Sequence, residues 1–551
     1  MTDFSARHAE LLSRAIEAIG DRGYWSAYPE TASGKIYGET AKADGEAAFE
    51  ALLGKTFAFD AAHPADRLVG AETSPYGKAL AVKYPAASID RLIAASAAAG
   101  AAWGRASVEE RAGALLEILS RLNKQSFLIA NAVMHTSGQA FPMAFQAGGP
   151  HAQDRALEAV AYAVAEMKRL PKHALWVKPQ GKNEPLKLEK TFRIVPRGVA
   201  VVIGCATFPT WNAYPGLFAS LATGNTVIVK PHPGAILPLA ITLKIAREVL
   251  AEAGFDPNVV LLAADEAAAP IAKDLVSDPA VKIVDFTGGP AFGSWLRGAL
   301  KDKQVYTEEA GLNAIVIDST SQFRAMCDNI AFSLSLYSGQ MCTAPQNIFV
   351  PGGGVETDEG HKSFDDVANG VAQAVDRLLA DPARAAGVLG AIQSDATLQR
   401  VKGSETLGRV VRRSGPVEGL ARGATPLILA VDAADEAAYG EERFGPISFV
   451  IATASTEESL SRAARSIREH GAITAALYTT SQSVADAATD AFAAANVALS
   501  INLVGNIFVN QSAAFSDFHV TGGNPAGNAC LTDSAFVANR FRVAPARRLL
   551  D

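Results

Sequence analysis

The chain of 551 residues carries 50 basic and 57 acidic side chains, a formal net charge of −7. A nucleic-acid binder of this size shows a basic excess or a Lys/Arg stripe, and neither is present. With 49% apolar and 19% charged residues, the chain has ample material for a large core and no composition of disorder. Its longest apolar run, Val199 to Ala206, is broken by Gly204 and is far shorter than the ~20 residues of a membrane span. The N-terminus lacks the basic-then-apolar pattern of a secretory signal, and Cys205, Cys327, Cys342 and Cys530 form no CxxC pair. A cytoplasmic protein of a reducing compartment is expected, with no nucleic-acid or membrane partner.

In chain order, the first ~75 residues read as irregular structure around one early helix, with scattered Gly, Pro and aromatics. Ser107-Val-Glu-Glu110 is a capping-box spacing, and Val108, Leu115, Leu119 and Leu122 then share a helical face. The polar stretch Leu175–Phe192, with Lys at 178, 182, 187 and 190, reads as a hairpin or arm. Beyond it come the apolar runs Val199–Ile203, Thr226–Lys230, Val259–Leu262 and Val281–Val284, alternating with helical segments such as Pro238–Ala253. Runs buried on both faces, separated by amphipathic helices, predict a parallel α/β sheet. A second strand–helix series from Ala314 to about Phe508 predicts a second unit. Ligands bind at the carboxyl ends of such strands, which points to the loops at Gly204–Asn212, Lys230–Gly234 and Thr287–Gly293.

Phe286-Thr-Gly-Gly-Pro-Ala-Phe-Gly293 follows a predicted strand and precedes a helix, where glycines and free N–H groups suit a phosphate. Taken alone, such a turn is more often only a turn, and Lys230, in Lys230-Pro-His-Pro233, is more often a solvated strand end. Gly339-Gln340 before Cys342 predicts a tight turn presenting the thiol, where an isolated cysteine is usually a buried small hydrophobe. Glu308 and Glu309 end a strand-like Val305–Thr307. None of the nine histidines stands in an HxxxH or HExxH spacing, so no metal ligand set is expected.

Leu221-Ala-Thr-Gly-Asn-Thr-Val-Ile-Val-Lys-Pro231, Phe286–Gly293, Glu308-Glu-Ala-Gly-Leu-Asn313, Gly339-Gln-Met-Cys342 and Glu441-Glu-Arg-Phe-Gly-Pro446 together resemble the ordered signature of the aldehyde dehydrogenase superfamily. The resemblance covers roughly residues 90 to 530 and leaves an N-terminal extension outside it. It implies two Rossmann-type parallel α/β domains plus a β-hairpin oligomerisation arm. The expected division is 1–310 for the extension and dinucleotide domain (interrupted by the arm at about 174–193), 311–515 for the thiol domain and 516–551 for a segment joining the arm. Homodimers or homotetramers are implied.

The same resemblance makes Cys342 the nucleophile towards an aldehyde, through a thiohemiacetal and a thioester, and Glu308 the base for hydrolysis, with Glu309 as fallback. Thr207 stands where the family places its oxyanion asparagine, and Asn212 is the other possible donor. Lys230 and His232 fall to the adenosine side, Gly288, Gly289 and Gly293 to the pyrophosphate, and Glu442 and Phe444 to the nicotinamide. Pro233 replaces a glutamate common in members that prefer NAD, so NADP use at least equal to NAD is expected. Thr207–Asn212, the extension and Gly522–Asn528 resemble a phenylacetate-degrading branch, which implies a CoA-linked semialdehyde as the substrate. Relatives that add a C-terminal hydratase are longer, so oxidation alone is expected. Phe208, Trp211, Tyr337 and Phe515 are the expected pocket aromatics, and Cys205, Cys327 and Cys530 are expected to pack. Three alternatives stand beside this: a catalytically impaired binding or assembly relative, a CoA-acylating dehydrogenase, and a reductase of an activated acid.

Overall fold

The computed structural model describes residues 2–309 and 311–550. The apolar runs form two parallel sheets. The first has five strands in the order Val260–Leu262, Thr226–Lys230, Val199–Ile203, Val281–Gly288, Gln304–Glu309. The register aligns Ile203 with both Lys230 and Phe286, which brings the three predicted loops to one carboxyl edge. The second sheet has seven strands, from Arg409–Arg412 at one edge to Ala498–Ile501 at the other. All its pairs are parallel except that of the Arg409–Arg412 edge.

Helices cover both sheets for reasons visible in the residues. Ser107 accepts from the Glu110 N–H while the Glu110 carboxylate accepts from the Ser107 N–H, which starts Val108–Lys124. Val108, Leu115, Leu119 and Leu122 are all buried on that helix. The helix Pro209–Ala222 is buried on every face, as a helix without a polar stripe must be.

The expected arm is a hairpin, His173–Gln180 with Asn183–Pro196. The last strand, Phe541–Leu550, pairs antiparallel along its outer side. A buried ion pair anchors the start of that strand: Arg540 donates to Asp285 Oδ2 at 2.8 Å and to Ser220 Oγ at 2.7 Å, between the rings of Tyr306 and Phe536. The early segment corrects the sequence expectation. It holds three helices, Ala9–Asp21, Gly34–Tyr37 and Ala41–Glu50, because its apolar residues pack against the helices from Val108 to Lys168 rather than on each other. Among the described residues no helix is long and apolar enough to cross a membrane.

Candidate active site

Cys342 is presented by a left-handed turn. Tyr337, Ser338 and Gly339 have φ of 52°, 50° and 62°. Two non-glycine residues in this region cost roughly 1–3 kcal/mol each and persist only under outside restraint. The Ser338 hydroxyl donates to the carbonyls of Leu389 and Ala424, and the Gln340 amide donates to the carbonyl of Ala391. Gly339 has no substitute, since a Cβ there would lie 2.5 Å from the Gly445 carbonyl oxygen. Asn313 then fixes the thiol's own segment, donating to the Cys342 and Ala344 carbonyls at 2.8 and 3.0 Å.

Strand alternation separates the two glutamates. Glu308 points to Cys342, with its Oε1 3.3 Å from Sγ. Glu309 points the other way and pairs with Arg297. That removes the fallback base. It also corrects Gly293: a Cβ there would sit 2.2 Å from the Glu309 carboxylate, so this glycine makes room for Glu309 inside the helix Pro290–Ala299.

Glu308 is 1% exposed and is the hub of the site. Its Oε1 accepts from Asn212 Nδ2 at 3.1 Å and lies 3.2 Å from His519 Nε2, while its Oε2 has no hydrogen-bond partner. The segment around Gly527 pins its strand, through the Glu309 N–H to the Ala526 carbonyl and the Thr307 N–H to the Asn528 side chain. Burial pushes Glu308 up, but the His519 imidazole, the Cys342 thiol and Arg155 together outweigh it and hold the carboxyl below its ordinary value. Burial pushes His519 down, against the pull of the Glu308 charge beside it. Burial and then the Glu308 charge push the Cys342 thiol well above its ordinary value. The resting site therefore holds a thiol with a carboxylate and an imidazole at hand.

His519 was not visible from sequence. It is 177 residues from Cys342, in an irregular segment without periodicity, and its only signal is its place just before the family-like Gly522–Asn528. Its Nδ1 lies 3.2 Å from Ser512 Oγ, which accepts from Arg155 Nη2 at 2.8 Å. Arg155 stacks on Trp211, and Trp211 meets His519 edge-on.

Cys342, Asn212, His519, Ser512 and Arg155 line a chamber of about 520 Å³. Phe208, Trp211, Phe508 and Trp25 wall it, whereas Tyr337 and Phe515 do not line it, against expectation. Both instead support neighbours, Tyr337 against Phe208 and Phe515 against Trp25. Trp25 comes from the extension. Arg22 fastens that segment by donating to the Ser516 carbonyl and the Tyr162 hydroxyl, and Asp154 accepts from Ser26 Oγ and the Ala27 N–H. Asn212 lines the chamber and Thr207 does not. The Thr207 hydroxyl lies 4.0 Å from Cys205 Sγ, and Cys205 contacts Asn212 Oδ1 at 3.5 Å. Cys327 and Cys530 are buried, as packing residues are.

The sheet edge beside the chamber suits a dinucleotide. Gly289 caps the helix Pro290–Ala299 with open space where a Cβ would be, so that helix N-terminus is accessible to a phosphate. Gly288 precedes it, packed over the Phe286 ring. Lys230 ends its strand 2.8 Å from Asp265, and His232 Nδ1 accepts from the Gly234 N–H. Glu442 and Phe444 lie in a segment held by Gln346, which accepts from the Arg443 N–H, and by Arg400, which donates to the Phe444 carbonyl. Burial lifts Glu442 to about 7, against the opposing charge of Arg400. Cys205, whose thiol contacts Asn212, is likewise pushed up to about 11 by burial.

Comparison with known proteins agrees. The sequence profile described as the aldehyde dehydrogenase family matches residues 72–522, a stretch that holds Glu308, Cys342 and His519. The fold matches the crystal structure of an NAD-dependent aldehyde dehydrogenase from Burkholderia multivorans with a TM-score of 0.98 at 57% identity, covering 100% of this chain and 99% of that one. A 1-pyrroline-5-carboxylate dehydrogenase of Bacillus licheniformis is 25% identical over 454 residues, 79% of this chain and 80% of its own length. Aldehyde dehydrogenase LUC3 of a Fusarium species is 27% identical over 265 residues, 48% of this chain; the match spans about half, 51%, of that relative's length. With its fold, thiol turn and glutamate strand in place, the chain belongs to the aldehyde dehydrogenase family.

Proposed function

We propose that the chain oxidises an aldehyde to a carboxylic acid with NAD as acceptor, through a thioester on Cys342. The observation that carries this is the meeting of Cys342 Sγ and Asn212 Nδ2, from two residues that line the chamber, at the buried Glu308 Oε1. Cys342 adds to the aldehyde carbon while its proton passes to the Glu308–His519 pair. The oxyanion is held by the Cys342 N–H and by the Asn212 amide, which turns from Glu308 to do so. When bound, the dinucleotide supplies the acceptor for the aldehyde hydride. With the thiol proton released from the pair to solvent, Glu308 takes a proton from the water that hydrolyses the thioester, and that proton passes to the departing Cys342 sulfur. An intact base favours hydrolysis over acyl transfer to CoA or reduction of an activated acid, and the assembled cluster favours an active enzyme over an impaired binding module.

Lys230, His232, Gly288, Gly289, Glu442 and Phe444 form the proposed cofactor edge. Asp265 already neutralises Lys230, which weakens the case for a 2′-phosphate and supports NAD over NADP, as does the NAD-dependent relative at 57% identity. The substrate we infer is a semialdehyde of phenylacetate breakdown, from the resemblance of Thr207–Asn212, the extension and Gly522–Asn528 to the phenylacetic acid degradation protein PaaN. The chamber's volume of about 520 Å³ lies within the range of small-molecule sites. The arm and the last strand paired to it support a homo-oligomer, because they expose Leu175, Val177, Leu186 and Leu549.

An aldehyde panel, with free and CoA-linked semialdehydes and both dinucleotides, tests the reading by formation of reduced nicotinamide. Wild type should turn over and Cys342→Ala should not; equal activity of the two would overturn the thiol mechanism.

A further inference from the structure

Cys342, Glu308 and His519 bring three kinds of ligand atom to one point. Sγ to Oε1 is 3.3 Å, Nε2 to Oε1 is 3.2 Å and Sγ to Nε2 is 3.9 Å. A tetrahedral zinc ion, at ~2.3 Å from sulfur and ~2.0–2.1 Å from nitrogen and oxygen, holds its ligands about 3.3–3.5 Å apart. The triangle already matches one face of that tetrahedron to within a few tenths of an ångström, and two of its residues, Cys342 and His519, line the chamber.

Two further observations point the same way. Glu308 Oε2 is buried with no partner, so the carboxylate keeps unused lone pairs at the site. A metal-ligating histidine needs an acceptor for its other ring nitrogen, and Ser512 Oγ is in place 3.2 Å from Nδ1, held by Arg155. No local spacing could show this set, because its members lie on a strand, a turn and an irregular segment. It is the cluster of metal-ligating side chains that the described residues contain.

We propose that this cluster also binds a thiophilic divalent cation, with zinc as the type, and that the bound ion reversibly stops oxidation by occupying the Cys342 sulfur. The ion replaces the protons now shared around Glu308 Oε1. The thiol proton leaves to solvent, and the imidazole carries its proton on Nδ1, where Ser512 Oγ accepts it. Sulfur, nitrogen and carboxylate oxygen each give a lone pair to the ion; one proton is released and no electron moves. One thiolate and one imidazole select zinc, cadmium or cobalt over magnesium or calcium. Because the ion enters through the chamber, it competes with the aldehyde.

The test uses the full chain, stripped of metal and titrated with cobalt(II). One equivalent should develop a sulfur-to-cobalt charge-transfer band with tetrahedral visible bands. Zinc should then bleach this spectrum, and inhibit competitively against aldehyde until a chelator is added. Cys342→Ser and His519→Ala should each weaken zinc in equilibrium dialysis by at least ~10-fold, the lower end of losses seen even for outer partners. Cys205→Ser should retain the spectrum. Zinc should also protect Cys342 of wild type from iodoacetamide, read by peptide mass spectrometry, which needs no variant to fold. Absent stoichiometric zinc, a cobalt spectrum without the thiolate band, its loss in Cys205→Ser, or unprotected alkylation would each overturn the proposal. Metal-free turnover of wild type is separate, so failure here leaves the proposed oxidation standing.

Discussion

Replacing Asn212 by Ala separates the two oxyanion donors that the sequence leaves open. Asn212 is 7% exposed, lines the chamber and sets its Nδ2 3.1 Å from Glu308 Oε1, beside the sulfur that forms the tetrahedral intermediate. Removing one preorganised oxyanion donor costs about 10²–10³ in kcat, or roughly 2.7–4 kcal/mol. Thr207 has its hydroxyl turned to Cys205 and lines no part of the chamber, so Thr207→Ala should change kcat by less than about threefold, under ~1 kcal/mol. Because Asn212 also touches Glu308, steady-state kcat alone mixes two steps. A stopped-flow burst of reduced nicotinamide isolates acylation, and it should slow by the full factor in Asn212→Ala. An unslowed burst in Asn212→Ala, or a collapse in Thr207→Ala, would refute the assignment and return the role to Thr207.

Three further outcomes follow from other parts of the structure. With Glu442 raised to about 7, its carboxylate is present above that pH and lost below it. The dinucleotide KM should therefore rise by up to ~10-fold per unit as pH falls below about 7, and Glu442→Gln should flatten that profile. Asp265→Ala frees Lys230 to meet a 2′-phosphate, so the ratio of kcat/KM for NADP to that for NAD should increase by about 10-fold; a falling ratio would contradict the Lys230 argument. Arg540→Ala leaves Asp285 buried and unpaired, which should cost about 3–5 kcal/mol and lower Tm in scanning calorimetry, with part of the loss recovered in Arg540→Met/Asp285→Asn.

What the sequence made legible were local patterns. Val199–Ile203 and Thr226–Lys230 are strands over those same residues because uniform burial selects uniform apolar runs. Cys342 was recognisable from Gly339-Gln340, since a turn needs its glycine wherever the chain folds. Other contacts lie beyond any local pattern. His519 reaches Glu308 across 211 residues, and Asp265 reaches Lys230 from the end of a neighbouring strand. Gly293 resembled a phosphate glycine, but what crowds it is Glu309, a contact set by pleat direction. The extension looked irregular because its helices bury their faces on partners far along the chain, and only the fold shows Trp25 in the chamber wall.

The central claim, a thioester on Cys342 hydrolysed through Glu308, is tested most directly by mixing Glu308→Gln with aldehyde and NAD and quenching in acid. The amide retains the size of the side chain but cannot take a proton from water. The account predicts a stoichiometric burst of reduced nicotinamide, turnover reduced by about 10²–10⁴-fold, and a Cys342 peptide heavier by the acyl group in mass spectrometry. Wild-type turnover with no acyl adduct on Cys342 would contradict it.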